Sequence, residues 1–370
     1  MKQQLTKITI KGFKTIESLV DFAPGSLTVL VGPNGAGKSN FISFFRLLSW
    51  SLTSQGGLQV HVGESGGSSQ LLYDGPEKTR EIEVGLTVQT DLGENEYAFR
   101  LVYAAGDTFI FATEQYRFSG KQFSQKARWI ELGAGHRESK LQEQADKGDK
   151  TASVVLGLLR KIIVHQFHNT SATSRIRQKW SLQDSRWLKE DGANLAPFLY
   201  RLQQQTPSYY RRIVDTIRLI LPFFDDFELE PEFGFILLRW REKGSDRLFD
   251  VSQAADGMLR AMVLTALLLQ PEQDLPGVLI LDEPELGLHP YAINILGGMI
   301  SSISTQVQVI VATQSVTLID CFEPEDIVVV ERQERASTFH RLSTNELATW
   351  LEMYSLSELW QKNVFGGRPL

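Results

Sequence analysis

The chain has 370 residues and a formal charge of −6, with 42% hydrophobic and 22% charged residues. That composition describes an ordinary folded protein, long enough for a large core and more than one lobe, and not a protein basic over its whole surface. No apolar run reaches the length of a membrane span, MKQQLTK does not read as a signal peptide, and the one cysteine, Cys321, excludes an internal disulfide and fits a cytoplasmic setting.

Residues 5–31 read as three short strands: Leu5 to Lys11, Glu17 to Phe22, and the apolar, β-branched run Leu27 to Val31. Gly32-Pro33-Asn34-Gly35-Ala36-Gly37-Lys38-Ser39 follows and meets the pattern GxxxxGK[ST] at each fixed position. The apolar spacing from Asn40 to Leu48 is helical, so the motif sits in a strand–loop–helix context. A nucleoside triphosphate explains the residue types. Backbone N–H groups between Gly32 and Asn40 cradle the phosphates, and the glycines permit close approach. The helix start turns its positive end to them, Lys38 reaches the β and γ phosphates, and the Ser39 hydroxyl holds Mg²⁺.

Residues 51–80, rich in Gly, Ser and Gln, read as a mobile surface loop. Residues 81–118 alternate apolar and polar between turn signals, which predicts an antiparallel meander. The polar stretch 119–150 reads as a solvated loop in preference to a binding patch. Residues 151–160 are helical and Lys161 to Phe167 a strand. Residues 170–222 read as mostly helical, clearest from Asn194 to Gln205 and Ser208 to Ile220. Residues 226–250 return to strands. Beyond 251 the pattern alternates: a helix from Ala255 to Leu269, strands from Gly277 to Leu281 and Gln306 to Ala312 around a helix from Pro290 to Ser304, then a strand from Asp326 to Val330. Such alternation implies parallel strands with helical crossovers. The tail from Gly366 to Leu370 reads as loose.

In Val278 to Glu285, VLILDEPE, four apolar residues carry Asp282 and Glu283 to the carboxyl end of a strand, where α/β sheets bind ligands. Asp282 suits Mg²⁺ and Glu283 suits a general base that polarises water. Basic residues Arg175, Arg177, Lys179, Arg186 and Lys189 alternate with Trp180 and Trp187. That cluster reads either as a nucleic-acid surface or as the solvated face of a helical lobe, the second being the simpler account.

The set resembles the ABC-type ATPases of the RecF/SMC-like group ("AAA family ATPase") and is similar to the ATPase half of OLD-family nucleases. ITIKGFKTI resembles that group's first strand, VSQAADGMLRAMVLTALL its signature helix, LDEPELGLHP its Walker B and D-loop, and VIVATQSVTLID its switch segment. Gly257 lies 25 residues before Asp282, and Gln314 lies 32 after it. The resemblance implies an α/β P-loop NTPase fold, the ABC ATPase head, with a mixed sheet, an antiparallel β lobe and an inserted helical lobe. Its division would be 1–165, an N-terminal ATPase lobe; 166–250, a helical and β insert; 251–345, a C-terminal ATPase lobe; and 346–370, a final helix and tail. It implies two subunits closing head to tail around Mg·ATP, with Asp256-Gly257 meeting the γ-phosphate from the opposing subunit. By the same analogy His289 and Pro290 lie in the D-loop, Gln166 senses Mg²⁺ and the γ-phosphate, and Lys14 approaches phosphate. Gln166 reads equally well as a polar strand end. His165 and His168 flank it without the cysteine or acid cluster that would complete a metal site.

Three departures stand out. Ala255 replaces the signature serine, and Ser252 is the residue left to cap that helix. Gln314 replaces the switch histidine; it can hydrogen-bond but cannot carry a proton, so slow turnover is expected. No TOPRIM nuclease domain like that of OLD proteins is expected within the residues after the switch strand. The expected function is an ATP-driven switch controlling DNA or a separate nuclease-like partner in DNA repair or phage defence, without a membrane partner. The alternative is a non-hydrolysing ATP sensor that holds an effector complex together.

Overall fold

A computed structural model describes residues 3–53, 56–122, 127–167, 171 and 173–368. In chain order come β1 (Gln4–Phe13), β2 (Ile16–Phe22), β3 (Leu27–Val31), α1 (Lys38–Thr53), α2 (Gly57–Glu64), β4 (Glu81–Gln89), β5 (Gly93–Ala104), β6 (Thr108–Gly120), β7 (Ile130–Glu131), α3 (Leu141–Asp146), α4 (Lys150–Leu159) and β8 (Ile162–His165). The second half adds β9 (Trp180–Ser181), α5 (Leu195–Gln205), α6 (Pro207–Ile220), β10 (Phe224–Phe227), β11 (Phe235–Ile236), β12 (Arg239–Glu242), β13 (Leu248–Asp250), α7 (Asp256–Leu268), β14 (Val278–Asp282) and α8 (Pro290–Ser304). It ends with β15 (Gln308–Thr313), α9 (Val316–Ile319), β16 (Ile327–Gln333), β17 (Ala336–Arg341), α10 (Thr344–Leu351) and α11 (Leu356–Gln361).

Two sheets organise the molecule. The central sheet has the order β17-β16-β3-β15-β14-β8 and is parallel except for β17. Every residue of β3, β14 and β15 is buried, which is why these runs are mostly apolar: helices or a second sheet cover both faces. Side-chain alternation then divides them between two cores. Val29, Val31, Leu279, Leu281, Val309 and Val311 join α5 to α8 on one side. Leu30, Val278, Ile280, Ile310 and Ala312 join α1 and the antiparallel sheet β2-β1-β4-β5-β6-β7 on the other. Buried Gln308 ties the two sheets. Its carboxamide accepts from Leu5 N at 2.8 Å and donates to Leu5 O at 3.0 Å and Gly25 O at 2.9 Å.

The expected meander is β4-β5-β6, and the alternation from 251 onward gives the parallel strands. Four expectations fail. Residues 57–64 form α2, Leu58, Val62, Leu71 and Leu72 join the core shared by α1 and the antiparallel sheet, and Tyr73 is buried as well. The glycine and serine content had hidden four widely spaced apolar anchors and a tyrosine. Within 119–150, α3 forms and Glu114 of β6 fastens the segment: it accepts from Tyr97 Oη at 2.7 Å and Lys140 N at 3.0 Å, and meets His136 Nε2 at 2.8 Å. Described residues between 171 and 194 are largely irregular or in short 3₁₀ turns. The tail docks. Gly367 N donates to Glu331 Oε1 at 2.7 Å, and Val364 and Phe365 pack on the core. Pro369 and Leu370 lie outside the described residues.

Candidate active site

The loop from Gly32 to Gly37 leaves β3 at its carboxyl end and enters α1 at Lys38. Its glycines answer to the chain behind them. A Cβ on Gly32 would lie 2.1 Å from Val330 O on β16, and one on Gly37 would lie 2.0 Å from Ser337 Oγ on β17. Ser337 Oγ donates to Ala36 O at 2.6 Å and shares a 2.7 Å hydrogen bond with Thr15 Oγ1. Thus the hairpin β16–β17 and the β1–β2 turn hold the cradle from beneath. Asn40, expected at the phosphates, instead turns its carboxamide to Thr15 Oγ1 at 2.8 Å; its side chain belongs to this support. Lys38 is 5% exposed and donates to Gly32 O at 2.6 Å and Pro33 O at 3.0 Å. Burial lowers its pKa, while Glu283, Asp282 and Glu285 pull it back up. Pro33, Asn34, Gly35 and Ser39 lie towards solvent at the loop's mouth.

The strands β14 and β15 bring the remaining groups alongside. Asp282, the last residue of β14, is 6% exposed and accepts from Gln166 Nε2 at 3.0 Å. Gln166 Oε1 in turn accepts from Arg46 on α1. The two sequence candidates are therefore together, although as a metal ligand Gln166 would turn its carboxamide over. Ser39, Asp282 and Gln166 offer hydroxyl, carboxylate and carboxamide oxygens, the hard donor set that suits Mg²⁺. Such an ion would neutralise phosphate charge beside Lys38. Glu283 adopts φ 44°, a left-handed conformation that non-glycine residues hold only under outside constraint. Its N–H donates to Ala312 O at 2.8 Å, and its Oε1 accepts from Gln314 Nε2 at 2.9 Å. Gln314 thus contacts the candidate base directly.

The signature segment meets the D-loop. The helix α7 begins at Asp256, and a Cβ on Gly257 would lie 2.3 Å from Gly287 O. Ser252 does not cap this helix: its hydroxyl donates to Asp250 Oδ1 at 2.5 Å, and Ala255 is the N-cap. Arg177 holds the segment, donating to Val251 O, to Ala254 O at 3.0 Å and to Asp256 Oδ1 at 2.9 Å. Arg260 on α7 joins the strand end after β8 to the D-loop, donating to Phe167 O at 2.9 Å and Leu286 O at 2.7 Å. His289 caps α8, its Nδ1 accepting from Tyr291 N at 3.3 Å, and Pro290 opens that helix.

Other candidates fall to structural roles. Lys14 donates to Ser43 Oγ at 2.7 Å, and burial lowers its pKa with Arg46 adding to the effect. His165 is 3% exposed in the central sheet, and burial lowers its pKa to about 4, against the raising effect of a hydrogen bond to the Glu190 backbone; His168 lies outside the described residues. Among those residues no group of three or more His, Cys, Asp or Glu could hold a metal. Four of the five basic residues in the cluster are paired with acids, Arg175 with Asp191, Arg177 with Asp256, Lys179 with Glu232 and Lys189 with Asp184, while Arg186 lies over the Trp187 ring. Sequence reasoning missed Thr15, Ser337, Arg46, Arg260 and Glu285. Only Glu285 carried a local signal, a third acid in DEPE.

A family model described as "AAA domain, putative AbiEii toxin, Type IV TA system" matches residues 27–320. Two solved structures share the fold. One is an SmcHead bound to the C-winged helix domain of ScpA: TM-score 0.60, 15% identity, 93% of this chain and 99% of the other. The second is an Smc head domain with an extended coiled coil, bound to the C-terminal domain of ScpA derived from Pyrococcus furiosus: TM-score 0.61, 14% identity, 95% of this chain and 99% of the other. No curated protein sequence matches the chain. Among the described residues no helix is long and apolar enough to cross a membrane.

Proposed function

The chain belongs to this AAA-domain family, and from that premise we propose that it is a slow ATPase of the ABC type, a switch that closes as a homodimer or higher oligomer around Mg·ATP. One observation carries the reading. Phosphate cradle, Asp282 with Gln166, and Glu283 with Gln314 all gather at the carboxyl ends of neighbouring strands β3, β14 and β15. In this reading Lys38 holds the β and γ phosphates, and Ser39, Asp282 and Gln166 hold the metal. Glu283 accepts a proton from the attacking water, and Gln314 orients Glu283 without carrying a proton itself. Asp256 and Gly257 face the γ-phosphate of the opposing copy. Exposed Leu286, Tyr291 and Val316, beside the D-loop and switch, supply apolar surface for that contact.

The closed form would control a separate effector, nuclease-like by analogy with OLD proteins, in repair or defence. The toxin–antitoxin wording of the family description is compatible with a switch governing an effector. Pairing of four of the five clustered basic residues with acids favours a protein effector over DNA. DNA binding would appear as an affinity that falls with salt.

Phosphate release and ATP affinity of the wild type and Glu283→Gln test the proposal. A measurable rate abolished by Glu283→Gln, with ATP binding kept, supports it. A second reading, a non-hydrolysing sensor, is favoured by Ala255 in place of serine and by the Gln314–Glu283 bond, which occupies the base. Equal near-zero rates in both proteins, with ATP still bound, would establish that reading.

A further inference from the structure

The switch segment is held by a buried acid that the catalytic scheme does not use. Glu285 is 8% exposed and lies three residues beyond Asp282, under the loop that leaves β14. Its Oε1 accepts from Thr313 Oγ1 at 2.5 Å and from Gln314 N at 3.4 Å. Thr313, fully buried at the end of β15, accepts from Ser315 N at 2.9 Å through the same hydroxyl. One carboxyl oxygen therefore gathers three successive residues of the switch. The Gln314 carboxamide, set by that backbone, reaches Glu283 Oε1 at 2.9 Å.

We propose that Glu285 is a positioning residue for hydrolysis, fixing the Thr313–Ser315 backbone so that Gln314 holds Glu283 in register with the attacking water. The proposal rests on the ATPase reading above. A buried acid is an expensive strut unless it is paired or neutral. Here no cation is paired with it among the described salt bridges, and its other oxygen, Oε2, is buried with no hydrogen-bond partner among the described residues. Burial raises its pKa, against the Thr313 hydrogen bond, and Glu283 adds to the rise. The positioning runs through Oε1 alone. A carboxamide of the same shape can replace the carboxyl, whereas alanine cannot. Glu285 makes no hydrogen bond to the phosphate cradle, and of the three acids acting on Lys38 it contributes least, so its loss bears chiefly on turnover.

Four variants decide the matter: Glu285→Gln, Glu285→Ala, Gln314→Ala and the double variant Glu285→Ala/Gln314→Ala. Expected for Glu285→Ala is a fall in kcat of about tenfold or more with ATP affinity little changed, the pattern of a group acting chiefly on the chemical step. Glu285→Gln should restore kcat to within about threefold of wild type. The double variant should be no slower than the slower single variant, because both changes break one chain of contacts. Multiplicative losses in the double variant would overturn the proposal, as would a Glu285→Gln enzyme as slow as Glu285→Ala.

Amide hydrogen exchange gives a readout that needs no turnover. The peptide holding Gln314 and Ser315 should exchange faster in Glu285→Ala, while the peptide spanning Gly32 to Ser39 stays as in wild type. Thr313→Val removes the same contact without touching the acid and serves if the alanine variant does not fold. A wild type without phosphate release would defeat the ATPase reading alone. Unchanged exchange at the switch peptide in Glu285→Ala and Thr313→Val would defeat the positioning role in either case.

Discussion

Gly257→Ala sets local preference against tertiary contact. In a helix interior alanine is favoured over glycine by about 1 kcal/mol, and less in the first turn, where Gly257 sits. Against this, the new Cβ would lie 2.3 Å from Gly287 O and 3.3 Å from Gly287 C, whereas ordinary contacts begin at 3.4 Å. The D-loop carbonyl must then retreat by about an ångström. Its retreat is opposed, since Arg260 Nη1 holds the neighbouring Leu286 O at 2.7 Å and would stand 3.0 Å from a Cβ on Gly287. Overpacking of this kind costs roughly 1–3 kcal/mol, leaving a net loss of about 1–2 kcal/mol and a Tm lower by about 1–3 °C. Gly298→Ala is the control. It lies on the exposed face of α8 with no heavy atom within 4 Å of a new Cβ, so it should raise Tm. Calorimetry on both variants checks the sign. Phosphate release should fall in Gly257→Ala, because the D-loop moves and, in the proposed dimer, the substituted residue itself faces the γ-phosphate of the opposing copy. A Gly257→Ala protein as stable and as active as Gly298→Ala would refute the close-approach argument.

Ser337→Ala should weaken ATP affinity about tenfold without changing the fold: it strands the buried Ala36 carbonyl beneath the phosphate cradle, a loss of roughly 1–3 kcal/mol. Titration with a fluorescent ATP analogue reads this, and an unchanged affinity removes β17 from the site. His165 makes stability depend on pH. Its pKa is about 4 in the fold and 6.5 as a free group, so between those values the unfolded chain takes up a proton that the native chain does not. Its contribution is therefore intact above pH 6.5 and diminishes as pH falls towards 4, by about 3 kcal/mol in all. Urea unfolding of wild type and His165→Leu at pH 7 and pH 4.5 should show the variant losing less stability between the two.

Much of the site was legible because it is local. The spacing from Gly32 to Ser39 needs only the strand before it and the helix after it. Asp282 and Glu283 need only a strand that ends in acids. What failed to read locally did so for identifiable reasons. Arg177 could be read as part of a nucleic-acid surface or, more simply, of a solvated helical face, because a basic residue beside tryptophan has the same composition whether it faces solvent or the carbonyls of Val251 and Ala254. Residues 57–73 looked mobile because Leu58, Val62, Leu71, Leu72 and Tyr73 are too sparse to show a period, although each is buried. Ser252 looked like a helix cap because distance along the chain cannot tell that Asp250 takes its hydroxyl first.

The sequence alone determined the elements whose signal lies within one turn or one strand: the phosphate cradle, the buried parallel strands and the acids at the end of β14. Tertiary structure alone decided which partners those elements received. It set Ser337 beneath a loop some 300 residues away in sequence, Gln166 on Asp282, Gln314 on Glu283, and Glu285 under the switch. The reason is physical. Propensity and periodicity are fixed by neighbours a few residues apart. A hydrogen-bond partner for a buried polar group is chosen only when the parallel sheet brings distant strand ends side by side and removes the water that would otherwise have served.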